Sequence, residues 1–408
     1  MGNLEYNVIQ SLKGRKDMNI QEEAVNIESE LIALRRYFHQ HPEQSWKEWN
    51  TQKKIEEELD TLGIPYETPY KTAVIATIKG AHASDHILGI RADIDALPVT
   101  EKTACPFKSE NEGTMHACGH DTHTAILLST AKILAAHRDE LPVTVRLIFQ
   151  PAEEFIEDSG ALHLKTVPSV LECERLIGLH IMSALEAGEA ALNDGPIMAS
   201  ADTFDVYIDG KGGHGAHPEQ CIDPIQAGVE FVQSLNRIVA REMNAIIPAV
   251  VSITQFVAGT TSNVIPSTAH LSGTTRAADP KVRDRFPDLL QRTASAVALD
   301  TETHIRVDYH FGCAVTINDP EVAATGRRAA AQVFGEDHIQ KVPFSMGGED
   351  FSKYTNPKAF LILGGGVHDP AKRFPQHSPY FEIDESVLKN GVAYFLQYIE
   401  EWAKELAL

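Results

Sequence analysis

The chain has 408 residues, which is too long for one ordinary compact domain and suits two or three. Apolar residues make up 43% of the sequence and charged residues 23%, the balance of a globular protein with a sizeable core. The 57 acidic and 36 basic residues give a formal net charge of -21. That much negative charge disfavours binding to nucleic acid or to an anionic membrane.

The cysteines indicate a reducing compartment. They are odd in number and have no repeated spacing, so we expect no disulfide framework and a cytoplasmic location. Residues 1–19 have no apolar run behind their basic residues, so we expect no secretory signal. No apolar stretch approaches the ~20 residues that span a bilayer, and we expect a soluble protein. The cysteines are Cys105, Cys118, Cys173, Cys221 and Cys313.

Helical patterns occupy residues 20–62 in pieces, and short apolar runs follow them. The runs at Val74–Ile78 and 87–90 are too short for helices and rich in β-branched residues, so they predict buried strands. Apolar residues then recur at three- and four-residue steps from 121 to 139, which predicts a helix. Alternating apolar residues at 143–149 predict another strand.

The later part of the chain continues this alternation. Residues 176–179 and 359–363 predict further buried strands, and a helical pattern runs from Asp384 to the end. Strands that alternate with helices are typical of an α/β domain with a central, mostly parallel sheet covered on both faces.

The segment 201–311 has a different pattern. Its first strand alternates apolar and polar residues, and Asp223-Pro224 then opens a helix as N-cap and first residue. Strands near 249–257 and 268–275, a second helix and a strand at 305–309 follow. The order strand, helix, strand, strand, helix, strand is that of a ferredoxin-like α+β domain. We therefore expect an inserted domain at 201–311 within a discontinuous domain of residues 1–200 and 312–408.

Metal-binding residue types gather at a few places along the chain. Most of these places follow predicted strands, and in open parallel sheets ligands bind beyond the carboxyl ends of the strands. Thiolate, imidazole and carboxylate ligands together suit zinc or a similar divalent ion. The clusters are Met115-His-Ala-Cys-Gly-His-Asp-Thr-His123, Pro151-Ala-Glu-Glu154, Gly178-Leu-His180, Gln376-His-Ser-Pro-Tyr-Phe381 and Arg91-Ala-Asp93.

Each of these residues also has an ordinary structural interpretation. A single histidine such as His180 is more often a hydrogen-bonded structural group, and adjacent glutamates are usually a solvated turn. Cys118 alone would be a small buried apolar residue. For His116 and His123 we favour support of the loop over metal binding. The Cys-x-His pair beside two further histidines is the most specific signal, because such density rarely serves packing.

The motifs together resemble the amidohydrolase branch of the aminoacylase and carboxypeptidase family of two-metal peptidases, which includes hippurate hydrolases and hydrolases of indole-acetyl amino acids. The resemblance extends from His39 to the final helix. It implies a catalytic α/β domain with an inserted lid domain that usually dimerises, hence a homodimer or larger assembly. The motifs are RADIDALPV, MHACGHDTHTAILL, FQPAEE, GLH, GKGGHGAHPE, NVIP, GGEDF and QHSPYF.

The resemblance also implies a site and a reaction. It makes Glu153 the general base that takes a proton from metal-bound water, and Asp93 a residue that orients the ligands. Two divalent ions per subunit are implied, zinc first, with manganese, cobalt or nickel as alternatives. The implied substrate is a small N-acyl amino acid or a related amide. The implied metal ligands are Cys118, His120, Glu154, His180 and His377.

The inserted domain has its own candidates. The resemblance makes His214, in the loop Gly212-Gly-His-Gly215, an electrophile for the oxyanion of the tetrahedral intermediate. It makes Asn263 and Arg276 holders of the substrate carboxylate. A surface salt bridge is an equally weighted interpretation of Arg276.

Two segments depart from the family pattern, at 155–159 after the paired glutamates and at 181–183 after His180. Both flank the predicted metal site, so we expect an altered acyl pocket. Three alternatives remain: a cysteine hydrolase that uses Cys118, a metallo-dipeptidase or carboxypeptidase, and a metal-binding relative without catalysis. The presence of Glu153 beside all of the ligands argues against the last.

Overall fold

The computed structural model describes residues 18–80 and 83–407. The expectation that the N-terminus carries no secretory signal falls almost entirely outside these residues. Within them, the α-helices are α1 (Ile20–Asn26), α2 (Glu28–Gln40), α3 (Trp49–Thr61), α4 (His120–Ala136), α5 (Gly160–Leu164), α6 (Pro168–Leu171), α7 (Pro224–Glu242), α8 (Pro280–Arg283), α9 (Phe286–Thr301), α10 (Pro320–Phe334) and α11 (Leu388–Leu406). The strands are β1 (Tyr66–Glu67), β2 (Val74–Ile78), β3 (Ile87–Asp93), β4 (Thr144–Gln150), β5 (Arg175–Glu186), β6 (Ala190–Ala191), β7 (Gly195–Met198), β8 (Ser200–Asp209), β9 (Gly213–His214), β10 (Ala249–Ala258), β11 (Val264–Ile265), β12 (Thr268–Ala277), β13 (His304–Cys313), β14 (Thr316–Asn318), β15 (Ile339–Gln340) and β16 (Lys358–Gly366).

The chain divides into two compact units. The larger unit runs to Gly195 and includes 317–342 and the chain from 353 onward, and the inserted unit contains 196–316 and 343–352. The predicted insertion at 201–311 lies within the inserted unit. The segment 343–352 joins it because Ser345 exchanges backbone hydrogen bonds with Ile197 and Ala199, at 3.0 and 2.9 Å. This pairing over a long sequence separation leaves no local sequence signal.

The larger unit contains an eight-stranded sheet with the order β1-β2-β4-β3-β5-β16-β6-β15. Its central strands β4, β3, β5 and β16 run parallel. In β3 every residue from Leu88 to Asp93 is buried, so side chains on both faces of the sheet are covered. Such burial explains why these strands read as continuous apolar runs in the sequence. The predicted α/β fold class is confirmed.

The central strands end at different heights, and this places the candidate site. β3 and β4 end together, with Asp93 opposite Gln150. β5 pairs with β3 only as far as Gly178, but it continues to Glu186 because β16 pairs with it beyond that point. His180 therefore lies within a long strand, two residues beyond the last β3 pair, and not at a strand end as predicted.

The inserted unit contains a four-stranded antiparallel sheet with the order β10-β12-β8-β13. Phe204, Val206 and Ile208 of β8 are buried in the core that the sheet forms with α7 and α9. Asp223 caps α7 as predicted, with its carboxylate accepting the Ile225 N–H at 2.8 Å. β12 extends to Ala277, so Arg276 lies inside this strand and not just after it.

The described residues contain no helix that is long and apolar enough to cross a membrane.

Candidate metal centre

The start of α4 places two of the predicted ligands, with Cys118 just before the helix and His120 as its first residue. Gly119 separates Cys118 from His120 and has a φ of 101°, in the left-handed region that favours glycine. A Cβ at this position would lie 2.5 Å from Cγ2 of Ile181. Cys118 Sγ lies 3.4 Å from His180 Nε2, and the ligand atoms of Cys118, His120 and His180 all lie within 4.8 Å of one another.

A second group of ligand atoms shares Cys118. The ligand atoms of Cys118, Glu154 and His377 also lie within 4.8 Å of one another. His377 Nε2 is 3.4 Å from Glu154 Oε1, and the His377 backbone N–H donates to the Ala117 carbonyl at 2.8 Å. Sequence positions far apart thus meet at the edge of the sheet, and the five predicted ligands form two overlapping groups.

Glu153 joins the same cluster. His120 Nε2 lies 3.9 Å from Glu153 Oε2 and 4.0 Å from Glu154 Oε1. The Glu153 side chain is almost completely buried. The predicted base and the predicted ligands are therefore neighbours in space.

Hydrogen bonds orient the rings of two predicted ligands, His120 and His180, which are both buried. His180 Nδ1 donates to the Ile181 carbonyl at 2.7 Å, and His120 Nδ1 donates to the Asp95 carbonyl at 2.9 Å. A proton fixed on Nδ1 leaves the Nε2 lone pair available to a metal ion. Both Nε2 atoms belong to the converging groups.

Both ring nitrogens of His123 already have hydrogen-bond partners. Its Nδ1 lies 2.5 Å from Asp93 Oδ1, and its Nε2 accepts the Ile181 N–H at 2.9 Å. Neither nitrogen is left for a metal ion, so His123 supports the site. Asp93 also accepts from Arg91 at 2.6 Å. Although burial opposes ionisation, the charges of His120, His123 and Arg91 hold the pKa of Asp93 well below its usual value.

His116 is a buried, neutral imidazole. Neither of its ring nitrogens has a hydrogen-bond partner among the described residues. Burial lowers its pKa to about 4, against the opposing charge of Asp121. It contributes no atom to either of the two groups of ligand atoms that contain Cys118 and are described above.

Two buried carboxylates hold the turn that carries the paired glutamates. The two oxygens of Asp95 accept the backbone N–H groups of Glu153 and Glu154, each at 3.0 Å. Glu48 Oε1 accepts the N–H of Ala152 at 2.9 Å, and Ala152 has a φ of 51°, which is unusual for a residue with a Cβ. Three consecutive N–H groups are thus fixed.

Asp95 and Glu48 were not among the residues predicted from the sequence. Asp95 lies only two residues after Asp93 in the motif RADIDALPV. This second aspartate beside a predicted site residue was the feature of the sequence that could have indicated it. Glu48 had no such signal, because its partner Ala152 lies 104 positions away in the sequence. Burial and the nearby charge of Asp95 raise the pKa of Glu48 to about 7.

The chemistry of the cluster fits divalent metal ions. Within the described chain, His120 Nε2 and Glu154 Oε1 are buried without any hydrogen-bond partner, an arrangement that costs free energy unless another group satisfies them. Burial and the charge of Glu154 raise the pKa of the Cys118 thiol well above its usual value. A thiolate at this depth therefore needs a nearby cation. Sulfur, nitrogen and oxygen donors together suit zinc.

Two of the candidates in the inserted unit, His214 and Asn263, lie in or beside a small two-stranded sheet. His214 is exposed and its Nδ1 accepts the Ala216 N–H at 3.1 Å, so the ring proton is on Nε2. β9 pairs with β11, and the Gly215 N–H donates to the Asn263 carbonyl at 2.9 Å. His214 and Asn263 therefore share one local structure.

Arg276 is half-buried on β12. Its Nη1 donates to the Thr275 carbonyl at 3.0 Å and to the Thr274 hydroxyl. Burial lowers its pKa, against the opposing charge of Asp202. It forms no ion pair with a carboxylate in the described part of the chain, whereas Asp202 pairs with Arg283 at 2.7 Å. The surface salt bridge considered for Arg276 is not formed.

The first segment that departs from the family pattern, 155–159, is held in place by hydrogen bonds. Phe155 directly follows Glu154 and its side chain is 45% exposed. Lys353 Nζ donates to the Ile156 carbonyl at 2.7 Å, and Trp46 Nε1 donates to the Asp158 carbonyl at 2.7 Å. The backbone that follows the predicted ligand Glu154 is thus fixed, while the Phe155 ring is exposed.

The second departure is anchored through Ser183. Its hydroxyl donates to the Phe374 carbonyl at 2.8 Å, and Phe374 lies three residues before His377. This contact links the segment 181–183 to the loop that carries a predicted ligand.

Curated relatives cover most of the chain. It is 36% identical over 380 residues to "Thermostable carboxypeptidase 1" of Saccharolobus solfataricus, covering 91% of this chain and 95% of the relative. It is 38% identical over 376 residues to "N-acetylcysteine deacetylase" of Bacillus subtilis, covering 90% and 95%. It is 39% identical over 311 residues to "N-acyl-L-amino acid amidohydrolase" of Geobacillus stearothermophilus, covering 74% and 83%.

Solved structures share the fold. A putative aminohydrolase from methicillin-resistant Staphylococcus aureus matches with a TM-score of 0.87 and 31% identity, covering 93% of this chain and 99% of that chain. The Bacillus subtilis YXEP protein, a dinuclear metal binding peptidase from the M20 family, matches with a TM-score of 0.81 and 35% identity, with the same coverage.

A family model places these likenesses in one group. The model for "Peptidase family M20/M25/M40" matches residues 89–401, a stretch that contains all the predicted metal ligands. The resemblance inferred from the motifs is confirmed. The chain belongs to peptidase family M20/M25/M40.

Proposed function

We propose that this protein is a metal-dependent amidohydrolase that cleaves the amide bond of N-acyl amino acids. The observation that carries the proposal is the convergence of Cys118, His120, Glu154, His180 and His377 beside Glu153. Relatives named as an N-acyl-L-amino acid amidohydrolase and an N-acetylcysteine deacetylase support this substrate class.

The five ligand residues would hold two divalent ions, with zinc the first candidate and manganese, cobalt or nickel the alternatives. Cys118 belongs to both groups of ligand atoms. When bound, the ions supply Lewis-acid polarisation and make water more acidic near neutral pH. Membership of M20 and the likeness to a dinuclear member support a pair of ions.

Glu153 acts as the general base in this proposal. It takes a proton from the attacking water at a carboxylate oxygen and later gives it to the leaving amine nitrogen. Its burial limits competing water, and Asp95 fixes its backbone N–H at 3.0 Å. Asp93 acts indirectly, because it accepts from His123 and Arg91 and so keeps the wall of the site in place.

The inserted unit supplies substrate contacts in this proposal. The Nε2–H of His214 is available to donate to the oxyanion that forms on the acyl carbon. Arg276 and Asn263 bind the carboxylate of the amino acid, the arginine through its two-pronged guanidinium. Arg276 has no carboxylate partner within the described chain, which leaves its charge available for this purpose.

We further propose a homodimer in which His214 of one subunit serves the metal centre of the other. β10 is an edge strand of the inserted sheet, with Phe256 and Val257 partly exposed on it. An unpaired edge with apolar side chains is readily satisfied by the same edge of a second copy.

A carboxypeptidase is the second candidate function. The relative named "Thermostable carboxypeptidase 1" is 36% identical over nearly its whole length. Both candidates use the same ligands and the same base, and they differ in whether the acyl group carries a free amine. A substrate screen therefore separates them.

The test is a hydrolysis screen with the purified chain after loading with zinc, manganese, cobalt or nickel. The substrates are N-acetyl, N-benzoyl and indole-acetyl amino acids and a matched set of dipeptides. Higher kcat/KM for acyl amino acids supports the amidohydrolase, and higher kcat/KM for dipeptides supports the peptidase. Hydrolysis of neither set by the metal-loaded protein would refute both.

A further inference from the structure

A second group of metal-ligand side chains lies outside the proposed catalytic centre. His39 is near the end of α2, and Glu101 and Cys105 lie in the loop that leads from β3 to α4. His39 and Glu101 are buried and Cys105 is half-buried. Their ligand atoms all lie within 4.8 Å of one another. None of these residues belongs to the set of five ligands assigned above.

We propose that His39, Glu101 and Cys105 form an additional binding site for a zinc-like divalent cation. The ligand set has one imidazole, one carboxylate and one thiol, the donor types that borderline divalent ions prefer. Cys105 is partly open to solvent, so water can complete the coordination. The site would join the loop at 101–109 to the end of α2.

The spacing of the ligand atoms fits a small tetrahedral ion. Ligands about 2.0–2.3 Å from such an ion are separated from each other by roughly 3.3–3.8 Å. His39 Nε2 lies 3.4 Å from Glu101 Oε1, and Cys105 Sγ lies 3.5 Å from the same oxygen. An ion can therefore be accommodated with small side-chain adjustments.

The supporting contacts orient two of the ligands. His39 Nδ1 lies 2.8 Å from Asp121 Oδ2, and a carboxylate behind the other ring nitrogen is the usual environment of a metal-binding histidine. The second oxygen of Glu101 accepts the Ser109 N–H at 2.7 Å. Glu101 Oε1 is thereby directed toward His39 and Cys105.

The local charges favour a cation at this position. Burial and Arg35 oppose protonation of His39, but Asp121 outweighs them and raises the pKa of His39 to about 10. Burial opposes ionisation of Glu101, but hydrogen bonds from His39 and Thr103 lower its pKa to about 2. At neutral pH a proton on His39 therefore lies between the imidazole ring and the ionised Glu101 carboxylate. A divalent ion would replace that proton and would also bind the Cys105 thiolate.

Two nearby arginines are already paired with other acids. Arg35 Nε lies 2.9 Å from Asp121 and its Nη1 lies 3.1 Å from Glu385. Arg36 Nη2 lies 2.6 Å from Glu385. Both guanidinium groups also lie over the Phe107 ring, at 4.9 and 4.7 Å. Their charges are largely balanced by these partners, which reduces their repulsion of a bound cation.

The test counts metal ions and measures thiol protection in the full chain. Wild-type protein and the Cys105→Ser variant are loaded with zinc, desalted and analysed by elemental mass spectrometry. We expect the variant to hold one zinc ion per chain fewer. The matched control is Cys221→Ser, which removes a half-buried thiol of the inserted unit and should keep the wild-type count.

Alkylation of individual cysteines, followed by peptide mass spectrometry, identifies the ion that is lost. In the wild type, zinc should slow alkylation of Cys105 at least about tenfold and leave Cys221 unchanged, because a metal-bound thiolate is protected. In Cys105→Ser, zinc should still protect Cys118, which shows that the missing ion is not a catalytic one.

Equal zinc counts in the wild type and Cys105→Ser would overturn the proposal. Alkylation of Cys105 at the same rate with and without zinc in the wild type would also overturn it. The second measurement needs no substitution, so a misfolded variant cannot decide the outcome. Neither measurement depends on the substrate proposed above.

Discussion

Asp95 accepts the backbone N–H of Glu153 at 3.0 Å through one carboxylate oxygen, and its other oxygen accepts the next N–H along the chain. The position of the proposed base is therefore set by a residue that is itself neither base nor predicted ligand. The same aspartate offers its backbone carbonyl to His120 Nδ1 at 2.9 Å. One short segment thus fixes both the proposed base and a proposed metal ligand.

This relationship predicts that Asp95→Asn lowers turnover. An amide directs an N–H toward one of the two backbone N–H groups, so the turn at Glu153 loses a hydrogen bond. We expect kcat to fall about 10–100-fold, the range typical of residues that orient metal ligands. Steady-state kinetics on an N-acyl amino acid measures this effect. The exposed Asp139→Asn is the matched control, and equal rates in both variants would contradict the positioning role.

Glu153→Gln should separate catalysis from metal binding. The amide keeps the shape of the side chain but cannot take a proton, so we expect kcat to fall roughly 10²–10⁴-fold while the metal content stays unchanged. Single-turnover kinetics and elemental analysis on the same sample measure both quantities. Glu157→Gln, an exposed position four residues later, should keep wild-type turnover. A Glu153→Gln enzyme with full activity would assign the base to another residue.

Removal of metal should abolish activity. Dialysis against a chelator leaves His120 Nε2 and Glu154 Oε1 buried without a hydrogen-bond partner in the described chain, and added zinc should restore the rate. Cys118→Ala should bind less metal and also lose stability, measured by elemental analysis and thermal unfolding. A cysteine hydrolase would behave in the opposite way, with activity that resists chelation and fails on alkylation of the metal-free protein. Full activity in metal-free protein would exclude the metal mechanism.

Arg276→Ala should change specificity more than general activity. If the guanidinium binds the substrate carboxylate, kcat/KM should fall far more for N-acyl amino acids than for the corresponding uncharged amides. The ratio of the two kcat/KM values is the measurement. Arg237→Ala, on the exposed side of α7, controls for the loss of one positive charge. Equal losses on both substrates would return Arg276 to a structural role.

Complementation between subunits tests the proposed dimer. Glu153→Ala and His214→Ala chains should each be nearly inactive, but a mixed dimer has one site with both changes and one site with neither. With random exchange, half of the dimers are mixed, so roughly one quarter of all sites should recover. His217→Ala, beside His214, is the control and should be active by itself. Absence of recovery after demonstrated exchange, or an active monomer, would reject the shared site.

The sequence by itself determined the long strands of both units and several of their helices. The run Val74–Ile78 has the observed bounds, because a strand with both faces largely buried favours apolar and β-branched residues. The cap at Asp223 also follows from local chemistry, since the side chain bonds to an N–H two residues away. The motifs, through the family resemblance, predicted five metal ligands and Glu153, and these residues lie close together in the structure.

Only the tertiary structure decided how these residues are held. Glu48 supports Ala152 from 104 positions away, and a local pattern carries no trace of such a contact. The position of His180 within β5 depends on β16, a partner strand from the far end of the sequence. The grouping of His39 with Glu101 and Cys105 likewise arises only when the loop before α4 lies against α2. Local periodicity specifies which elements form, but contacts between distant elements depend on packing and register.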